Sequence, residues 1–189
     1  MATESSGMNA STTSLAITIR DVAKDDLPAI RDIYAHHVLH GLASWEEVPP
    51  DLEEITRRCD AILADGFPYR VAVRDGAVVG YAYASKYRPR PAYRNTVENS
   101  IYVDENVRGG GIGTKLLDDL IKVCTDMGFR RMVGIVGDSA NAPSIRLHEK
   151  AGFEMVGIIP ACGYKADQWL DQVLLHRALG PGEMTPPDK

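Results

Sequence analysis

Thr96-Val97-Glu98-Asn99-Ser100-Ile101-Tyr102-Val103, followed after four residues by Arg108-Gly109-Gly110-Gly111-Ile112-Gly113, decides how this chain folds. The first part reads as a strand carrying an acidic residue. The second reads as a glycine-rich turn that opens a helix. Such a turn presents backbone N–H groups, and the helix start adds partial positive charge, so the two together suit phosphate or pyrophosphate. An anion cradle beside a carboxylate points to chemistry on a phosphate-bearing cofactor.

The elements around this stretch fall into one domain. Ile17–Arg20 alternates as a short strand, and Asp25-Asp26-Leu27-Pro28 gives acidic caps and an early proline for a helix continuing through Ile30, Ile33, Tyr34 and His37. Gly41 to Pro50 reads as a loop, and Asp51 opens a second helix through about Ala64. Tyr69–Arg74 and Ala77–Lys86 read as strands joined by the hairpin signal Asp75-Gly76. Beyond the glycine turn, Ile112, Leu116, Leu120 and Cys124 recur every four residues on an amphipathic helix stopped at Gly128. Met132–Val136 is a strand, Asn141 to Gly152 a helix, and Glu154–Ile159 and Trp169–Leu179 are closing strands. The order βααβββαβαββ predicts an α/β (α+β) fold with a mixed central sheet, mostly antiparallel at the start, with one crossover near the glycine turn.

Composition bounds the function. The 189 residues are 44% hydrophobic and 25% charged, enough for one core without metal or disulfides. A net charge of −5 argues against a general nucleic-acid binder. Cys59, Cys124 and Cys162 are an odd number without metal-type spacing, which fits a reducing cytoplasm. No run approaches the roughly 18 apolar residues of a membrane span, and residues 1–16 lack a secretory signal pattern. Residues 1–14 are expected to be a disordered leader, 15–179 the domain and 180–189 a flexible tail.

The glycine turn is neither of two familiar nucleotide loops. Gly113-Thr114-Lys115 has the wrong order for a Walker loop, so the lysine is not placed for a terminal phosphate. Gly111-Ile112-Gly113 is followed by Thr114-Lys115-Leu116 rather than a third glycine, and no acidic residue closes the next strand to hold a ribose. What remains, Arg-x-x-Gly-x-Gly, resembles the pyrophosphate signature of the GCN5-related N-acetyltransferases (GNAT). Asn141-x-x-Ser144-x-x-Leu147-His148-x-x-x-Gly152-Phe153 resembles that superfamily's second signature. Tyr93-Arg94-Asn95-Thr96-Val97-Glu98, Arg146-Leu147-His148-Glu149 and Ala161-Cys162-Gly163-Tyr164-Lys165 narrow the resemblance to the phosphinothricin and methionine sulfoximine acetyltransferases, over roughly residues 17–178.

The resemblance implies acetyl-CoA as donor, no metal, a small amino acid or analogue as acceptor, and a homodimer with Cys162–Lys165 and the C-terminal strands near the partner. An acceptor amine must lose a proton before attack, and a carboxylate base is worth about 10²–10⁴-fold. Glu98 shares a strand face with Ser100 and Tyr102 and matches the family's catalytic glutamate. Its structural alternative is a pairing with Arg88 or Arg94. Backbone N–H groups around Ile101, Tyr102 and Val103 are the candidate oxyanion donors and pantetheine partners. Arg108, Gly109, Gly110, Gly111, Ile112, Gly113 and Thr114 are assigned to the pyrophosphate, and Asn141 and Ser144 to the flank of the pantetheine arm.

Most of the superfamily has tyrosine where this chain has His148, a substitution shared by the phosphinothricin-like branch. The residue is either the acid that protonates the departing thiolate or a satisfied helix histidine. Arg88 and Arg90 are candidates for an acceptor carboxylate, since a guanidinium fork matches it bidentately, with Tyr83 and Tyr93 as pocket walls. Trp45 and Glu46 are further candidate walls. His36, His37 and His40 lack an acidic or cysteine companion for a metal site. The competing functions are acetylation of another small amine or a protein N-terminus, and a non-catalytic acyl-CoA sensor.

Overall fold

The computed structural model describes residues 16–107 and 110–187; the leader expectation and the last two residues lie outside them. Strand β1 (Thr18–Asp21) leads through a 3-10 turn into α1 (Leu27–His40) and α2 (Leu52–Ala64). Next come β2 (Tyr69–Arg74), β3 (Ala77–Lys86), β4 (Thr96–Val103) and α3 (Ile112–Asp126). The chain closes with β5 (Arg131–Val136), α4 (Ala142–Lys150), β6 (Glu154–Lys165) and β7 (Gln168–Ala178). The seven strands of the described residues form one sheet in the order β1-β2-β3-β4-β5-β7-β6.

Only β4 and β5 pair in parallel, because α3 carries the chain across a sheet face between them. The other neighbours are antiparallel. The β2–β3 turn uses Asp75 and Gly76, both at positive φ, as the Asp-Gly pair predicts. Period-two alternation splits the sheet's side chains between two cores. Ala72, Ala82, Ala84 and Val97 face the Leu116, Leu120 and Cys124 stripe of α3. Tyr69, Val71 and Tyr81 point the other way, onto Ile30, Tyr34 and Val38 of α1 and Ile55 and Cys59 of α2.

The last hairpin corrects the sequence expectation. β6 does not end at Ile159 but runs on to Lys165, and its pairing with β7 skips from Ile159 to Gly163. Residues 160–162 bulge out, with Ala161 at φ 49°. Pro160 does not end the strand because β6 is the sheet edge, where a missing N–H need not break a ladder bond. β7 begins one residue earlier and ends one earlier than expected. Past it, Arg130 donates to the Gly182 carbonyl, Thr185 Oγ1 and the Pro186 carbonyl, and Arg131 pairs with Glu183 at 2.6 Å. No helix among the described residues is long and apolar enough to cross a membrane.

Candidate active site

The site begins where two strands part. β4 and β5 pair over Thr96–Asn99 and Arg131–Gly134, yet β4 continues to Val103 and β5 to Val136. The diverging ends open a cleft of about 1030 Å³ lined by Glu98 to Val103 on one side and Ile135 to Gly137 on the other. Alternate residues of a strand turn their N–H and C=O to the same edge. Beyond Asn99 that edge of β4 faces the cleft instead of β5. Asp104 N–H donates to the Val79 carbonyl of β3, so Tyr102 turns its backbone to β3, and Ile101 and Val103 are left where polar groups of an extended ligand can pair with backbone.

The N-terminus of α3 meets the cleft at Gly113. Gly110 and Gly111 sit at φ 69° and 64°, left-handed conformations that glycine adopts without steric penalty. α3 starts at Ile112 with Gly111 as its cap, and the first intrahelical bond is Lys115 N–H to the Gly111 carbonyl. The N–H groups of Ile112, Gly113 and Thr114 precede that bond and have no partner within the helix. The Ile112 side chain is buried in the core, Gly113 lines the cleft and Thr114 is exposed. Arg108 and Gly109 lie outside the described residues. Asn141 caps α4, its Oδ1 accepting Ser144 N–H at 3.2 Å, and both residues line the cleft.

Glu98 lines the same cleft. With Ser100 and Tyr102 it faces the α1–α2 side, whereas Val97, Ile101 and Val103 face the α3 side. Among the described residues no cation lies within ion-pair distance of its carboxylate, so the pairing with Arg88 or Arg94 is not made. Burial pushes its pKa above the usual carboxylate value, and the charge of Arg88 partly opposes this. A carboxylate so placed retains proton affinity that an exposed one lacks.

His148 stands on the opposite face. Its Nδ1 lies 2.9 Å from the Ser144 carbonyl and its Nε2 3.1 Å from Asn99 Oδ1. Burial lowers its pKa, while the contact with the Ser144 carbonyl works the other way. The ring lies so close to β5 that a Cβ at Gly134 would come within 2.7 Å of His148 Cδ2. Asn99 was missed by the sequence reading. Its signal was present: a polar residue in the core-facing set Val97, Asn99, Ile101, Val103.

Trp45 and Glu46 line the cleft, as does the rest of the loop from Gly41. Glu46 Oε1 accepts Tyr34 O–H at 2.9 Å and Arg58 Nη1–H at 2.6 Å. His37 Nε2 lies 2.9 Å from the Val103 carbonyl. Arg88, Arg90 and Tyr93 lie on the exposed loop before β4 and are not part of the cleft lining. Tyr83 is half-buried and stacks with the buried Tyr69 and Tyr81, 5.1 Å and 6.5 Å away between ring centroids. Cys124 is core, and Cys162 is exposed with its thiol donating to Gln172 Oε1 at 3.4 Å. Among the described residues no group of three or more His, Cys, Asp or Glu could hold a metal.

A helix start with free N–H groups, an open strand edge and a carboxylate of raised proton affinity in one cleft can hold an extended, phosphate-bearing ligand and accept a proton from an amine beside it. Comparison with known proteins agrees. The chain is 49% identical over 173 residues to phosphinothricin N-acetyltransferase of Alcaligenes faecalis, covering 92% of this chain and 88% of that protein. It is 39% identical to L-methionine sulfoximine/L-methionine sulfone acetyltransferase of Pseudomonas paraeruginosa, covering 91% and 100%. The crystal structure of a GNAT superfamily phosphinothricin acetyltransferase from Sinorhizobium meliloti in complex with AcCoA superposes with a TM-score of 0.89 at 45% identity, covering 92% and 94%. The acetyltransferase (GNAT) family model matches residues 27–153, and the chain belongs to that family.

Proposed function

We propose that this chain transfers the acetyl group of acetyl-CoA directly to the α-amine of a small amino acid or analogue of the phosphinothricin and methionine sulfoximine class. One observation carries the reading: the cleft where β4 and β5 part is lined both by Gly113, in the first turn of α3, and by the Glu98 carboxylate. The turn through Gly110–Thr114, extended by Arg108 and Gly109, holds the pyrophosphate. The edge of Ile101–Val103 pairs with the pantetheine amides, flanked by Asn141 and Ser144.

Glu98 takes a proton from the acceptor ammonium, and the freed nitrogen attacks the thioester carbon. Backbone N–H of β4 stabilises the oxyanion. The C–S bond then breaks, the thiolate leaves with a proton supplied through His148, and the new amide loses its extra proton to solvent. Arg88 and Arg90 supply cations for the acceptor carboxylate, with Tyr83 and Tyr93 shaping the approach. Acetylation of phosphinothricin by this route would remove its free amine and confer resistance to it.

The same reading includes a homodimer built on β6 and β7, whose apolar residues are exposed, and a reducing cytoplasm, where three unpaired cysteines persist. The net charge of −5 is poorly suited to nucleic acid or anionic membrane. Thiol release from acetyl-CoA tests the acceptor class. L-Phosphinothricin, methionine sulfoximine and methionine sulfone should give turnover, and polyamines and aminoglycosides should not. Silence with all three amino-acid analogues would remove the proposal.

A further inference from the structure

The Lys165 side chain is only 9% exposed, and no carboxylate among the described residues lies within ion-pair distance. Instead its ammonium donates three hydrogen bonds to backbone carbonyls: Val38 at 2.8 Å, Gly41 at 2.9 Å and Ser44 at 2.7 Å. An ammonium has three N–H donors, and all three are used. Val38 and Gly41 belong to the C-terminal end of α1, where the last carbonyls have no helical partner and the helix dipole is negative. A strand more than 120 residues away in sequence thus caps α1 and fixes the path of the loop that leaves it.

That loop, Gly41 to Glu46, lines the cleft, whereas Lys165 itself does not. The same hairpin holds the loop at a second point. The Trp45 indole lies on Gly163, where a Cβ would come within 2.9 Å of the ring, and its N–H donates to the Gly137 carbonyl at 3.1 Å. Trp45 and Glu46 stand on the α1 side of the cleft, the side Glu98 faces. One of its bonds caps the end of α1 at Val38, and the other two hold the loop itself, at Gly41 and Ser44.

We propose that Lys165 is a positioning residue for the acceptor: from the β6–β7 hairpin it fixes the 41–46 loop as the wall against which the amine substrate is held over Glu98. The inference rests on the acceptor side of the proposed function. Lys165→Met keeps most of the side-chain length and removes all three donors. Its expected effect is a rise of about 10- to 100-fold in acceptor KM, the scale of losing charge-assisted hydrogen bonds. The acetyl-CoA KM should stay within about twofold, since the anion turn and α4 are untouched.

Lys165→Cys in a Cys162→Ser background, alkylated with bromoethylamine, restores an ammonium on a side chain of lysine's length, with sulfur in place of the γ-methylene, and should recover most of the acceptor KM. Gly163→Ala, which displaces Trp45 while leaving Lys165 in place, provides a second variant should Lys165→Met not fold, and should show the same selective KM rise. An unchanged acceptor KM overturns the proposal. Equal rises for both substrates without recovery on alkylation also overturn it, because they mark general loss of structure. If the unmodified enzyme acetylates none of the amino-acid analogues, the acceptor reading fails on its own. Hydrogen exchange of amides 41–46 then decides the Lys165 contact: faster exchange in Lys165→Met supports it, and unchanged exchange rejects it.

Discussion

His148 Nε2 lies 3.1 Å from Asn99 Oδ1, and the amide orientation is set because Asn99 Nδ2–H donates to the Val133 carbonyl at 2.9 Å. The histidine is therefore flanked by two acceptors, Asn99 Oδ1 and the Ser144 carbonyl. A neutral imidazole has one N–H and satisfies one of them; the imidazolium satisfies both. Burial opposes that charge and lowers the pKa. Asn99→Asp adds a negative partner and should raise the His148 titration, whereas Asn99→Leu removes an acceptor and should lower it further. Side-chain NMR titration of the ring nitrogens reads both directions, and an unmoved titration would discard the coupling.

For Glu98 the sign of the pH dependence follows from its surroundings. Burial raises its pKa, so the ionised base is fully available only above the ordinary carboxylate range. The acid limb of kcat/KM should accordingly lie above that range. Arg88 favours the ionised form, and Arg88→Gln should move that limb to higher pH. Glu98→Gln should lower kcat by about 10²–10⁴-fold, with acetyl-CoA affinity unchanged. Full turnover in Glu98→Gln would take the residue out of the mechanism.

The two adjacent left-handed glycines separate backbone strain from crowding. Gly111 has nothing within 4 Å of a notional Cβ, so alanine there meets only the left-handed penalty of about 1–2 kcal/mol. At Gly110 the same atom would come within 2.7 Å of Arg74 Nη2 and 2.9 Å of Ile17 Cδ1. Gly110→Ala should therefore raise the acetyl-CoA KM more than Gly111→Ala, with little change in acceptor KM. Steady-state kinetics with each substrate varied in turn measures this, and the reverse ranking would contradict it.

Local chemistry made much of this molecule legible before its structure. The four-residue spacing from Ile112 to Cys124 places α3, and Asp75-Gly76 places the β2–β3 turn at its observed residues. Glu98, Asn141 and Ser144 were readable as cleft residues because signature spacing ties them to strand and cap. Asn99, Lys165 and the continuation of β6 were not, for one physical reason: each depends on a distant partner. Asn99 is fixed by groups 34 and 49 residues away, and Lys165 by carbonyls 121 to 127 residues away. The strand expected over Glu154–Ile159 runs on through Pro160 to Lys165 because it is the sheet edge, which nothing local reveals.

The start of α1 offers a stability test independent of catalysis. The Asp26 carboxylate, 6% exposed, accepts from Arg20 Nη1 at 2.6 Å, Arg20 Nη2 at 2.8 Å and Ala23 N–H at 2.7 Å. The Arg20 hydrogen bonds are the main reason its pKa falls below the usual value. A depressed carboxylate stabilises the fold above its unfolded pKa and loses that contribution as pH falls through the folded one. Asp26→Asn should cost about 2 kcal/mol at neutral pH and progressively less in acid. Urea unfolding across that range measures it, and a pH-independent difference would contradict the linkage.

The free edge of the sheet makes a prediction about assembly. β6 ends the strand order, and along it Met155, Val156, Ile158, Ile159 and Tyr164 are all exposed, as is Trp169 on β7. An unpaired edge with exposed apolar side chains favours association, and monomeric proteins usually protect such edges with charge. The nearest charges at the two ends of the strand, Glu154 and Lys165, leave the stretch between them uncharged. A second copy offers the same surface, so a two-fold pairing covers both edges at once. Val156→Glu combined with Ile158→Glu places like charges opposite one another across that axis and should yield a folded monomer by light scattering. If the double variant keeps the mass of the unaltered protein, pairing along β6 is rejected.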